Sequence, residues 1–348
     1  MITFANSTDD AFNLQPAVSG QIRDAQVRGS PVVMRSILGY TAASRASKGD
    51  SKSFMDATKY LVANMLRSMA KKLEIEMLYG QMGYATVASN VAAVLTITTS
   101  EWAPGIWAGA EKMPIEIRDT TGATSKGEFT VVSVDMDLRK VTLNADPGVL
   151  VAGDVIWHKG AYGNEFPGIH KILTTTSGSL FNINVGDYNL FKGNSFSAGS
   201  AALSFSKIQS ALTRAVEKGL DTKVLCLVNP RAWANMLSDQ AALRRFDSSY
   251  DSKKGEQGSQ SIKFYSQNGE IEIEPSIFVK EGYSYILAMD EWSRVGSSDM
   301  SFNRPGGNER YFRDLENSAG YELRLFSDQA VFSSSPGKNV LITAIVNS

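Results

Sequence analysis

The sequence predicts an α+β fold built on one long helix, with a small β-domain inserted after it. Three observations predict this. A helical period runs unbroken over residues 53–80, closely spaced β-prone runs lie between residues 87 and 172, and an apolar strand at residues 223–228 sits between two short amphipathic helices.

Residues 1–24 hold no sustained period and include Pro16 and Gly20, so they read as an extended arm with one short helix near Ile22. Residues 25–52 carry a β-prone core, Pro31-Val32-Val33-Met34-Arg35-Ser36-Ile37-Leu38, and then a polar tail. They read as two strands of a projecting loop. Around this loop Arg23, Arg28, Arg35, Arg45, Lys48 and Lys52 outnumber Asp24 and Asp50, which suits either plain solvation or docking on an acidic surface of another subunit.

The long helix opens at Ser53, with Asp56 three residues on in a capping-box-like pattern, and stops at Gly80, a good residue for the C′ position. About 27 residues at 1.5 Å each make a rod of roughly 40 Å. Phe54, Leu61, Met65, Met69, Leu73 and Met77 recur near every fourth residue, widened by Val62, Leu66 and Leu78, while Lys59, Arg67, Lys71 and Glu74 fall elsewhere. One face is therefore buried, and its methionines read as core.

Residues 91–98 are a β-branched run. Residues 129–135 alternate and are answered by residues 140–143 across a tip at 136–139, and residues 153–157 add a strand. This spacing suggests a small barrel or sandwich inserted between Trp102 and about Gly160. Residues 180–199 read as a loop rich in Asn, Gly and aromatics. A helix over residues 204–217 turns Phe205, Ile208, Leu212, Ala215 and Val216 inward and ends at Gly219. The strand at 223–228 is apolar throughout, as in sheets buried on both faces. Asn229 as N-cap and Pro230 at the first helical position start a short helix with Trp233, Met236 and Leu237. A long loop of mixed charge occupies residues 238–261, with Arg244, Arg245 and Asp247. A hairpin then turns at Asn268-Gly269, and strands follow at 283–289, 292–295, 321–326 and 340–346.

The charge balance, 35 Lys+Arg against 36 Asp+Glu for a formal −1, argues against a protein that wraps nucleic acid by counterion release. One Cys and two His exclude a zinc cluster, an iron–sulfur site and an intramolecular disulfide, which fits a reducing cytoplasm. The first ten residues lack the basic stretch and apolar run of a secretory signal, so an exported preprotein is not expected. Apolar runs fall well short of the ~18–20 residues of a membrane helix, and no membrane partner is expected.

Chemistry is equally sparse. Gly193-Asn194-Ser195-Phe196-Ser197 misses the final Gly of a nucleophile elbow and follows no apolar strand. His158 and His170 read as hydrogen-bonded structural imidazoles, and Cys226 as a small buried hydrophobe. Asp135-Met136-Asp137 begins like a calcium loop but lacks its Gly and terminal Glu, so it reads as a hairpin turn. The carboxylate pairs Glu74/Glu76 and Glu272/Glu274 stand two apart without surroundings that suggest acid/base work. No catalytic residue, cofactor or metal is expected. What remains is shape: an arm, a projecting loop, a rod and long polar loops, features that neighbouring copies would cover.

Four motifs in order carry a resemblance. They are Lys72-Leu73-Glu74-Ile75-Glu76-Met77-Leu78-Tyr79-Gly80 at the helix end, Gly163-Asn164-Glu165-Phe166-Pro167-Gly168-Ile169, the strand running from Val224 into Asn229-Pro230 and Trp233, and Gly282-Tyr283-Ser284-Tyr285-Ile286-Leu287 with Trp292, Arg294 and then Gly320-Tyr321-Glu322-Leu323-Arg324. Their order over residues 25–346 resembles the major capsid proteins of tailed bacteriophages, with the Hong Kong ninety-seven-like fold. The resemblance implies an N-arm at 1–24, an E-loop at 25–52, a peripheral domain with the spine helix at 53–99 and its return at 161–199. It further implies an axial domain at 200–290 and C-terminal strands shared by both domains at 291–348. Residues 100–160 would be an inserted accessory β-domain outside the minimal family pattern.

The implied function is a non-enzymatic late structural protein of the virion. It would be assembled in the host cytoplasm into hexamers and pentamers of an icosahedral head around double-stranded DNA. Expected partners are copies of itself, separate scaffolding, portal and decoration proteins, and packaged DNA through weak non-specific contact. Inter-subunit contacts are expected at Arg28, Arg35, Arg45, Lys48, Arg244, Arg245 and Asp247. The alternative within the fold is an encapsulin-type compartment shell, and the competing class is a hydrolase using Ser195 with His158 or His170.

Overall fold

The structure, a computed structural model, describes residues 23–39, 57–238, 262–267, 269–302, 312–316 and 320–347. The strands in chain order are β1 (Ser30–Gly39), β2 (Ala85–Val91), β3 (Val94–Ile97), β4 (Pro114–Arg118), β5 (Ser125–Asp135), β6 (Lys140–Leu143), β7 (Val155–His158), β8 (Ser179–Leu180), β9 (Ile183–Asn184), β10 (Ser195–Ala201), β11 (Val224–Val228), β12 (Ile262–Ser266), β13 (Gly269–Pro275), β14 (Ser284–Leu287), β15 (Trp292–Ser301), β16 (Phe312–Asp314), β17 (Gly320–Ser333) and β18 (Val340–Ile345). The helices are α1 (Ala57–Tyr79), α2 (Pro104–Trp107), α3 (Ile169–Thr174), α4 (Phe205–Val216) and α5 (Pro230–Ser238). The arm through residue 22, the tail of the projecting loop and the loop at 239–261 lie outside the described residues.

Helix α1 buries the stripe its period predicts. Met65, Met69 and Leu73 pack on Leu323 and Leu325 of β17, with Val32 and Met34 of β1 at the margin. Strand β1 supplies that margin because it pairs antiparallel with β17 in unbroken register from Ser30 opposite Gln329 to Gly39 opposite Gly320. The sequence reading made residues 25–52 two strands of one projecting loop, but β1 takes its partner from nearly 290 positions away, as the Arg35–Glu322 contact records. Matching alternation explains the choice: Val32, Met34 and Leu38 share a face with Leu323 and Leu325, and only this register presents both sets to the helix. Strand β15 and the short β16 complete the sheet through β17.

Strands β2-β3-β6-β5-β4-β7 close into a barrel. Val87, Leu95, Ile97, Ile115, Ile117, Val131, Val141 and Ile156 fill it. Trp102 and Trp107, stacked at 5.9 Å, belong to the same core. The barrel thus begins at Ala85, ahead of the boundary near residue 100 set by the sequence reading. Hairpin β2–β3 escaped notice because Ala92, at φ 49°, makes its turn without the Gly or Asn that signals one. The β5–β6 tip is where the sequence puts it, and the Asp135 carboxylate accepts from the backbone N–H of Asp137 and Leu138, which is turn chemistry rather than calcium ligation.

A third sheet runs β10-β18-β14-β11-β13-β12. Its central strand β11 lies between parallel β13 and antiparallel β14; Val224, Cys226 and Val228 are buried, while Leu225 and Leu227 on the other face are half-buried rather than fully buried as expected. One face, with Cys226, Ile273, Ile286 and Ile342, packs on Phe205, Ile208 and Leu212 of α4 and Met236 of α5. The other face, with Tyr285, Leu287 and Leu341, joins the core at the root of the barrel. Asn229 caps α5 by accepting from the N–H of Arg231 at 2.9 Å, while its amide donates to the Val279 carbonyl at 2.7 Å. The segment read as an aromatic-rich loop contains hairpin β8–β9, whose turn residues Phe181 and Asn182 sit at φ 51° and 64°, and edge strand β10.

Helix α1 ends where two backbones touch. The Gly168 N–H donates to the Gly80 carbonyl at 2.9 Å, and a Cβ on either glycine would overlap main-chain atoms of the other segment. Gly80→Ala and Gly168→Ala are each expected to lower stability by about 1–3 kcal/mol. Gly39→Ala, with nothing within 4 Å of its Cβ, should stay within ~0.5 kcal/mol in urea unfolding.

Candidate functional site

Of the expected inter-subunit residues, Arg45, Lys48, Arg244, Arg245 and Asp247 lie outside the described residues. Arg28 is exposed on a recess of about 530 Å³ that Lys171 also lines, and it makes no ion pair among the described residues. Arg35 lies on the outward face of β1 and already has a partner in its own chain, Glu322 at 2.7 Å, which Arg324 also engages. On either side of Arg35 along that face, Val33 and Ile37 stand 56% and 53% exposed. Strand β1 is also a sheet edge. Val33 and Ile37 thus form an exposed apolar pair around an ion cluster, on a strand edge that is unpaired among the described residues.

The residues weighed for hydrolysis do not come together as a site. Ser195 is exposed at the start of edge strand β10, with its carbonyl held by Arg214. His170 is in α3, bonded through Nδ1 to the Tyr285 hydroxyl at 2.9 Å, and burial chiefly, with Lys280 nearby, brings its pKa down to about 4. His158 ends β7 against the Tyr84 ring at 4.2 Å between centroids, and burial and then Lys72 hold its pKa well below the usual value. Among the described residues its buried Nε2 has no hydrogen bond, unlike the bonded imidazole expected from sequence. Cys226 is fully buried and its thiol pushed up to about 12, so it behaves as a small hydrophobe. Among the described residues no group of three or more His, Cys, Asp or Glu could hold a metal.

Two buried polar clusters were missed, because their members are scattered along the chain. The first joins the barrel to the third sheet. Lys280 donates to Glu101 at 2.5 Å, Tyr283 donates to the same carboxylate at 2.6 Å, and Tyr79 accepts from the Lys280 N–H and donates to the Phe278 carbonyl. Burial would raise the Glu101 pKa, but Lys280 and these hydrogen bonds outweigh it and lower it. Next in the chain, Glu281 takes two hydrogen bonds from Arg139 at the β5–β6 tip, at 3.1 and 2.9 Å, and lies 3.5 Å from Arg231 of α5.

The second cluster is at the end of α1. Lys72 donates to Glu165 at 2.7 Å and to the Tyr84 hydroxyl at 2.6 Å, and Tyr84 in turn donates to Glu165. Glu76, 0% exposed, is 3.8 Å from Lys72. Neither of its carboxylate oxygens has a well-formed hydrogen bond among the described residues, although the Lys72 ammonium and the Ser30 hydroxyl stand near enough to favour its charged form. Burial dominates and raises the Glu76 pKa to about 7.

No protein-family model matches the chain, and no curated protein sequence does. Solved structures do. The capsid asymmetric unit of cyanophage A-1(L) is similar at TM-score 0.51 and 9% identity over 98% of this chain and 85% of that one. The capsid of a native GTA particle is similar at TM-score 0.50 and 8% identity over 98% and 81%. An encapsulin complex from Synechococcus elongatus aligns at TM-score 0.42 and 10% identity over 98% and 92%. The chain has the Hong Kong ninety-seven-like capsid fold. At such identities the likeness is one of fold: it spans almost the whole chain, barrel included, and the Leu78-Tyr79-Gly80 and Phe166-Pro167-Gly168 motifs are the two backbones in contact at the end of α1.

Glu101→Gln should cost about 3–5 kcal/mol in urea unfolding by leaving Lys280 buried and unpaired, with much of the loss recovered in Glu101→Leu/Lys280→Met. Glu76 works in the other direction. Its folded pKa lies above the unfolded value, so the folded state holds the extra proton and stability falls as pH rises from about 4.5 to about 7. The unassembled Glu76→Gln chain should match wild type at pH 5 and exceed it by roughly 2–3 kcal/mol at pH 8 in chemical denaturation.

Proposed function

We propose that this chain is the major capsid protein of a tailed bacteriophage, a structural protein that assembles into the hexamers and pentamers of an icosahedral head around double-stranded DNA. The observation that carries this reading is the capsid fold over 98% of the chain, shared with a cyanophage capsid and a GTA particle capsid. The solved neighbours are structural shell proteins, which supports a non-enzymatic role. In this reading the four-stranded sheet and α1 form the peripheral domain, the third sheet with α4 and α5 the axial domain, β1 the root of the E-loop, and the barrel an accessory domain. Scaffolding, portal and decoration partners would be separate chains, and host-cytoplasmic assembly belongs to the same proposal.

The free energy of assembly comes from surface each copy leaves open. Val33 and Ile37 on β1, exposed together beside an ion cluster, gain from removal from water, at about 25 cal/mol per Å² of apolar area. A near-neutral chain also limits the repulsion that identical subunits build up when packed together.

Purified protein viewed by negative-stain microscopy is expected to give particles hundreds of ångströms across, and a 37.8 kDa monomer with hydrolytic turnover would overturn the reading. Arg28→Glu should cut particle yield severalfold while moving the melting temperature of the unassembled chain by no more than ~1 °C, as for surface substitutions generally. Equal loss of stability and assembly would remove Arg28 from the interface.

A further inference from the structure

The recess of about 530 Å³ beside Arg28 lies where residues 1–22 join the described chain. Arg23 donates to the Tyr188 hydroxyl at 3.1 Å, the Gln26 N–H donates to the Phe181 carbonyl at 2.9 Å, and Ala25 and Val27 pack on the cluster of Phe166, Ile172 and Leu180. Residues 23–28 are thereby fixed along one side of the recess, with Gln26 and Arg28 among its lining.

Two cations on that lining have no ion pair among the described residues: Arg28, which is exposed, and Lys171 of α3, which is half-buried. The one acid that lines it, Glu165, is buried and held by Lys72 at 2.7 Å, so the open part of the recess is net positive. Gln26 and Asn182, both exposed, add side-chain amides that can donate to a carboxylate or to a backbone carbonyl. A donor-rich hollow of this volume, within the range of about 300–1,000 Å³ typical of ligand sites, suits a short acidic stretch of chain.

The charge of the chain outside the described residues narrows the occupant. Residues 40–56 and 303–311 hold more cations than acids, and residues 239–261 hold equal numbers of each. Residues 1–22 carry Asp9 and Asp10 and neither Lys nor Arg. Reach is ample. Asp10 stands 13 residues before Arg23, a span of up to roughly 45 Å at about 3.3–3.6 Å per residue, and the recess begins at Gln26.

We propose that residues 1–22 dock on this recess of their own chain, with Asp9 and Asp10 against Arg28 and Lys171. An exposed ion pair is weak by itself. The tether offsets this, because a short connection holds the two acids at an effective concentration on the order of mM, far above that of another copy in dilute solution. Docking concerns one unassembled copy and does not rest on the shell reading.

Carbodiimide coupling of the unassembled full chain, read by peptide mass spectrometry, tests the contact, since the reagent joins a carboxylate to an amine only where the two meet. An amide between Asp9 or Asp10 and Lys171 is expected. The exposed pair Lys159–Glu128, at 2.6 Å, supplies the internal standard. Arg28→Gln keeps both reacting groups and should lower the Lys171 product about threefold against that standard, the loss of one exposed ion pair. Coupling a mixture of unlabelled and heavy-nitrogen chains should give products within one chain. Recovery of the Lys159–Glu128 product without the Lys171 product would overturn the docking, as would an undiminished yield in Arg28→Gln. Mixed-isotope products would assign the acids to a second copy and overturn docking within the chain. Particle formation enters none of these outcomes, so the shell reading stands or falls separately.

Discussion

Two consecutive buried charges, Lys280 and Glu281, each 3% exposed, hold three bodies in one arrangement. Lys280 reaches Glu101 at the root of the barrel and packs 4.4 Å from the ring of Tyr79, the last residue of the long helix, while Glu281 reaches Arg139 at the tip of a barrel hairpin. Neither charge could be buried alone, because desolvation would cost several kcal/mol per ion. Each is therefore tolerated only with its partner in place. The barrel is grasped at two points by one dipeptide, so it cannot swing about its two chain connections as an inserted domain on flexible linkers would.

Much of this architecture was legible in the sequence because period and turn chemistry are local. The stripe of Met65, Met69 and Leu73, the cap at Asn229-Pro230, the apolar strand ending at Val228 and the pairing of β12 with β13 all state their structure within a few residues. What escaped was non-local or lacked a marker. The β2–β3 turn uses Ala92 at positive φ, so nothing announced it. The partner of β1 lies at the far end of the chain. Glu76 stood two residues from Glu74 with nothing to mark it, yet Glu74 is exposed while Glu76 is fully buried, because the last turns of α1 leave the surface and enter a junction closed on most sides. The one available signal was Ile75-Glu76-Met77-Leu78-Tyr79, a carboxylate set in an otherwise apolar run.

The outward surface inverts the usual logic of a core. Strand β1 carries apolar residues on both faces: one set meets the helix, the other meets solvent around Arg35 and Glu322. In a monomer the second set would be an aggregation hazard on an open sheet edge. In the proposed shell it would become an interface, and the ion cluster at its centre would restrict which surfaces can approach, since an apolar patch alone accepts many partners and a charged one few.

The two buried clusters differ in how completely their charges are paired. Around Lys280 and Glu281 every charge has its counter-charge within the chain, so that cluster is complete in one copy and contributes to folding. Around Lys72 one cation serves two carboxylates: Glu165 accepts its hydrogen bond at 2.7 Å, and Glu76 lies farther off at 3.8 Å and stays largely protonated up to about neutrality. A low-dielectric interior magnifies both the gain from a satisfied network and the cost of an unfinished one. The less complete of the two lies where α1, β1 and the end of β7 converge, so substitutions there act on three elements at once.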